Sequence, residues 1–273
     1  MKPPLCSALM LLTFSMNAQA PTAVPIPKEP HHHLVFENSY VRVFRVNVPA
    51  HEATLLHQHD APYVYVALGA ADVINAVQDK TEVRLMLTDG QVNYSRGGFA
   101  HIARNESGMP FNNVTIELLH PQGEPHNLCA SIVAGPPGAC PNAESVPATR
   151  YSTPLPGGSA LFETDEILAE SGIIGPKSRY EDKRPTVSAL LIAMHGSQIK
   201  VRPSRPAYPI QGGPAENLRG GEEYWLPAGV KRSITARSHA PTRFFLISFK
   251  DSGPASPLTG QPSAQQRPKT SKN

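Results

Sequence analysis

Two histidines one residue apart, His57 and His59, are where this chain first offers chemistry. On extended backbone, residues two apart project to the same side, so both imidazoles can reach one ion. They follow the turn Pro49-Ala50-His51-Glu52 and precede the run Tyr63–Leu68. A third histidine, His101, comes just after the glycine turn at Gly98, with Asn105 four residues later. Antiparallel strands of one barrel would bring His101 beside the first pair. Three imidazoles with open positions around them suit a divalent transition metal: iron, manganese, zinc or nickel. Tyr63 and Tyr65 share one face of their strand and are read as pocket residues that hydrogen-bond a ligand.

The elements that must position these groups are strands. In Asn113 to Leu118, Val114, Ile116 and Leu118 point one way, while Asn113, Thr115 and Glu117 point the other. That period of two marks a half-buried strand. Similar runs occur at Val41–Val48, Glu82–Leu87, Ala189–Met194 and Phe244–Phe249, and no stretch shows a long capped helical period. The 29 prolines and 20 glycines punctuate short strands well. The chain reads as all-β.

It also reads as a duplication. Phe36-Glu37 matches Phe162-Glu163 at an offset of 126, and Gly69 matches Gly196 at 127. Gly90, Gly98 and Pro110 match Gly221, Gly229 and Pro241 at 131. An offset that only grows is what small loop insertions between repeated strands produce.

These residues resemble the cupin superfamily, whose motifs read G-x5-H-x-H-x3-4-E-x6-G and G-x5-P-x-G-x2-H-x3-N. Here the first appears as His57-x-His59, then Tyr63 in place of the glutamate, then Gly69. The second appears as Gly90, Arg96 in place of the proline, Gly98, His101 and Asn105. The chain is also similar to a set of exported bacterial cupins sharing runs like YVYVALG. The resemblance implies two cupin-type jelly-roll barrels in tandem. It implies a metal at His57, His59 and His101, with Asn105, Tyr63 and Tyr65 beside it. Tyr63 removes the anionic donor, which weakens the site; three-histidine cupins act as oxygenases on non-haem iron.

At the same offsets the second repeat places Arg184 at His57, Thr186 at His59, Leu190 at Tyr63 and Arg232 at His101. No histidine survives, so barrel two is expected to bind no such metal. Arg184 and Arg232 form a possible anion site, guanidinium being suited to carboxylate or phosphate; the alternative leaves their heads in water at the barrel mouth. The expected job of barrel two is to bury sheet surface of barrel one. His31-His32-His33, in an exposed N-terminal segment, is given no specific role.

The remaining segments set the domain plan. Lys2, the apolar run Leu5–Met16 and Ala18-Gln19-Ala20 have the layout of a secretion signal over residues 1–20. Pro21 after the cut leaves an uncleaved anchor as the alternative. Residues 21–30 read as a Pro-rich linker, 31–134 as barrel one, 135–160 as a Pro/Gly-rich linker, 161–250 as barrel two and 251–273 as a disordered tail. Export would place the chain in the periplasm or outside the cell, and there Cys129 and Cys140 make a natural disulfide. No segment after residue 20 is long and apolar enough to span a membrane.

The formal charge of +3 reduces to about zero in the body once Lys2 and the basic tail are set aside. Such a surface has no basic stripe for nucleic acid to follow. The functional expectation is therefore a small-molecule oxygenase or isomerase that needs a metal. The alternative is a non-catalytic module that binds a sugar, aromatic acid or anion. A purely structural role would have no need of the three histidines.

Overall fold

The computed structural model describes residues 22–123, 155, 159–182, 186–203 and 216–250. The signal segment, Cys129, Cys140, Arg184 and the tail lie outside the described residues.

Two sheets form barrel one. The first runs in the order β1 (Val24–Pro25), β4 (His57–His59), β9 (Phe99–Asn105), β6 (Ala71–Val77) and β7 (Val83–Leu87). Facing it are β2 (His32–Glu37), β3 (Val41–Val48), β10 (Phe111–Leu118), β5 (Tyr63–Ala67) and β8 (Val92–Ser95). Barrel two repeats the plan. One of its sheets runs β11 (Ser159–Glu163), β12 (Ile167–Ile174), β19 (Thr242–Phe249), β14 (Ser188–Ala193), β17 (Glu223–Leu226). The other runs β13 (Arg179–Asp182), β18 (Arg232–Ala236), β15 (Gln198–Pro203), β16 (Glu216–Arg219). Two all-β jelly rolls of cupin type stand in tandem.

Side-chain alternation assigns each face. Along β5, Tyr63, Tyr65 and Ala67 enter the interior of barrel one, while Val64 and Val66 turn outward. Along β14, Ala189, Leu191 and Ala193 enter barrel two, while Leu190 and Ile192 turn outward. The outward rows meet. Val43, Val64, Val114 and Ile116 of barrel one pack with Leu190, Ile192, Phe245 and Ile247 of barrel two in one buried core. Each such side chain stabilises by about 1.5–3 kcal/mol relative to exposure, so the barrels form a single packed body. Arg45 adds an ion pair to Glu223 at 2.9 Å across the joint, and Arg243 pairs with Asp89.

Strand register corrects the sequence alignment. Ala67 accepts from the Gly90 amide as Ala193 accepts from Gly221, so β5 and β14 correspond at an offset of 126. Tyr63 therefore matches Ala189 rather than Leu190. The reading of residues 21–30 as a linker also changes. Val24–Pro25 pairs in parallel with β4, Val24 opposite His57, and Ile26 is buried in the barrel-one core. Proline permits this because β1 lies at a sheet edge, where a missing amide goes unnoticed. Leu155, inside the expected second linker, is buried in the core of barrel two.

Candidate metal centre

Backbone pairing creates the site. His57 and His101 are direct cross-strand partners of β4 and β9, with ring centroids 4.5 Å apart. His59 stands two residues on, 5.0 Å from His57 and 5.1 Å from His101. The turn feeding β9 depends on glycine: Gly97 has φ +67°, and a Cβ there would lie 2.2 Å from the Ala61 carbonyl oxygen. Its neighbour Gly98 donates to the His59 carbonyl, clamping the start of β9 to the end of β4.

A fourth ring joins from the opposite sheet. His32 on β2 is buried, and its centroid lies 4.7 Å from that of His57. Ring nitrogens of His32, His57 and His59 all fall within 4.8 Å of one another. Metal–imidazole bonds of about 2.1 Å keep ligand atoms within roughly 4.2 Å, so a small inward closure would seat an ion. The histidine triplet, for which the sequence suggests no role, draws its middle member inside while leaving His33 exposed. One signal was present: Glu29, three residues ahead of His32, whose carboxylate takes its Nδ1 at 2.6 Å.

Hydrogen bonds set the tautomers. His57 Nδ1 donates to the Leu55 carbonyl at 2.8 Å, and a carbonyl can only accept. His101 Nδ1 meets Asn75 Oδ1 at 2.5 Å, which fixes the same form once the amide oxygen is the acceptor. Each ring is left with a bare Nε2 lone pair. Both Nε2 atoms, and Nδ1 of His59, are buried with no partner among the described residues. Buried acceptors without partners are costly, and a metal ion satisfies them. The residues present fit such an ion. Burial pushes His57 down to about 4, with the neighbouring His32 ring adding to the effect. Burial and the adjacent rings also hold His59 and His101 well below the usual imidazole range. Burial thus favours the neutral form of His57, His59 and His101, the state that metal binding requires.

The rings border a cavity inside barrel one that offers water-sized occupants about 50 Å³. That is room for a few waters or a small molecule. Tyr63 and Tyr65 line it, with Asn75, Asn113, Thr115 and a mostly aliphatic wall. The Tyr63 ring stacks on His59, centroids 4.1 Å apart at 20°. Neither tyrosine hydroxyl makes a close hydrogen bond, although Ser95 lies beside that of Tyr63. Burial pushes both phenols up, so they remain donors.

Two expected site residues do other work. Asn105 is absent from the cavity wall; its Nδ2 donates to the carbonyls of Val48, Pro49 and Met109, and its Oδ1 accepts from Ser107. It ties the end of β3 to the loop that follows β9. Arg232 is neither an open anion clamp nor a solvated head: it is buried, and its Nε pairs with Asp182 at 2.7 Å.

Fold and site together define a class: two jelly-roll barrels of cupin-type fold in tandem, the first carrying a buried cluster of histidines. No protein-family model and no curated protein matches the sequence. Among solved structures, the chain is similar to AerE from Microcystis aeruginosa with a TM-score of 0.53 and 10% identity, over 82% of this chain and 99% of AerE. Salicylate 1,2-dioxygenase from Pseudaminobacter salicylatoxidans gives 0.49 and 14%, over 80% and 75%. A cupin domain from Bordetella pertussis Tohama I gives 0.31 and 25%, over 32% and 90%. At 10% identity, the likeness to AerE is one of fold.

Proposed function

We propose that barrel one binds a divalent transition metal through His57, His59 and His101, with His32 alongside, and acts on a small molecule held in the cavity. The observation that carries this is the set of buried ring nitrogens of His57, His59 and His101 with no hydrogen-bond partner among the described residues, on rings whose centroids lie 4.5–5.1 Å apart. When bound, the ion would supply Lewis acidity and, if redox-active, a meeting point for dioxygen and substrate. The chain's own contribution is orientation and dryness. Tyr63 and Tyr65 offer phenol hydrogens to an oxygen of the ligand, and Val46, Val73, Leu87 and Phe111 keep bulk water away. An oxygenase or an isomerase is the reaction class we favour.

One observation favours a second reading, a non-catalytic binding module. Among the described residues, the cavity wall holds no carboxylate, lysine or arginine to move a proton. Elemental analysis of purified protein, followed by an oxygen-uptake screen against small carboxylic and phenolic acids, separates the two. About one metal per chain with uptake supports the enzyme, and metal with ligand binding but no turnover supports the module. Absence of metal after reconstitution with iron, manganese, zinc or nickel overturns the enzyme and leaves the binding module.

We also propose export, supported by the layout of Lys2, Leu5–Met16 and Ala18-Gln19-Ala20. Mature protein would then begin near Pro21 and carry a Cys129–Cys140 bridge. N-terminal sequencing and non-reducing peptide mapping test both; intact Met1 in the cytosol overturns export, and two free thiols overturn the bridge.

A further inference from the structure

We infer that Glu29 is the carboxylate of this metal site, set one hydrogen bond away from the ion, and that it acts by positioning His32 as a fourth imidazole ligand. The inference rests on the metal reading of barrel one. At the position where the first motif carries an acid, the chain has Tyr63, and its ring lies against His59. The missing charge is found on a different segment. The Glu29 side chain is fully buried, and both of its oxygens are engaged. Oε2 accepts from His32 Nδ1 at 2.6 Å and from the His31 amide at 2.9 Å. Oε1 accepts from His31 Nδ1 at 2.9 Å and from the Leu55 amide at 3.1 Å.

A carboxylate bonded in this way is an acceptor, so His32 presents a proton to it from Nδ1, and Nε2 is the atom a metal would take. Carboxylate–imidazole–metal arrangements fix the ring and raise its basicity, and loss of the outer partner typically costs about 10–100-fold in metal affinity. The contacts of Glu29 also reach the ligand strand. Leu55, whose amide Glu29 holds, supplies the carbonyl that sets the His57 tautomer. One carboxylate thereby braces His32 directly and His57 through a single residue. Barrel two provides a natural control. Among its described strands nothing corresponds to β1, the strand that leads into Glu29, and no imidazole cluster is found there.

The test uses full-length protein and Co(II) alone as probe, read by its visible absorption and by competition with a chelator. Wild type is expected to bind one Co(II). Glu29→Gln, which keeps the shape but removes the charge, is expected to weaken binding about 10–100-fold. His32→Gly is expected to lose affinity and shift the spectrum, and added imidazole should restore both, which a merely structural role would not allow. If wild type binds Co(II) and both variants match it in affinity and spectrum, the inference is overturned while the metal site stands. If Glu29→Gln fails to fold, His32→Gly with imidazole rescue decides alone: no spectral change overturns the inference. If wild type binds no Co(II), the metal reading itself is overturned.

Discussion

The two barrels share strand order and differ in what fills them. His57 faces His101 across β4 and β9; at the matching place in β13 and β18, Asp182 faces Arg232. A metal-ready imidazole pair in one barrel is a closed ion pair in the other. The rest of the interior follows suit. By register, Tyr65 corresponds to Leu191, Thr115 to Leu246, Asn75 to Val201 and Asn113 to Phe244. Val46 corresponds to Gly172, where a Cβ would come 2.3 Å from the Phe244 ring. The Phe244 ring thus occupies room that in barrel one belongs to Asn113 and the cavity. Both interiors are bounded by the same outward rows, so the contrast lies in the inward rows alone. A scaffold of this kind tolerates a polar or an apolar filling, provided that each buried polar group is satisfied.

The comparison can be broken in four ways, taken from the largest effect to the smallest. The double change His57→Asp with His101→Arg gives barrel one the ion pair of barrel two. Metal content measured by mass spectrometry should fall from about one ion per chain to none, while circular dichroism keeps its β signature. In barrel two, Asp182→Ala strands a buried guanidinium and should cost about 3–5 kcal/mol in denaturant unfolding. Removing both charges with Asp182→Leu and Arg232→Met should cost clearly less, since the unpaired charge is the source of the penalty. Gly172→Ala drives a methyl into Phe244 and should cost about 1–3 kcal/mol, because overpacked cores relax only in part. Arg243→Met removes a part-exposed bridge to Asp89 and should change stability by no more than about 1 kcal/mol. A larger loss there would show that the joint between the barrels depends on charge rather than on the apolar core.

Much of this was legible in the sequence, for reasons that differ from residue to residue. The strands and the duplication were readable because a period of two and a set of spaced glycines are local signals. His57, His59 and His101 come together because an i, i+2 pair on a strand and a histidine after a glycine turn are local as well. His32 was hidden. Its burial depends on β2 pairing with β3, His32 opposite Val46, and on Glu29 folding back beneath it. Asp182 was hidden by register, since a shift of two residues in a loop moved the expected counterpart of His57 to Arg184. Asn105 misled for the opposite reason. It fits its motif position, yet its donors all serve backbone carbonyls.

The parallel pairing of Val24–Pro25 with β4 has one more consequence, for how the molecule keeps to itself. Strand β4 is three residues long and would otherwise close its sheet as a bare edge. Open edges of backbone are templates on which other chains can add strands. The Val24 amide already occupies the Leu56 carbonyl, and the proline beside it has no amide to offer outward. The short N-terminal strand is therefore also a cover against strand addition, placed over the edge where a stranger's backbone would lie against His57 and His59.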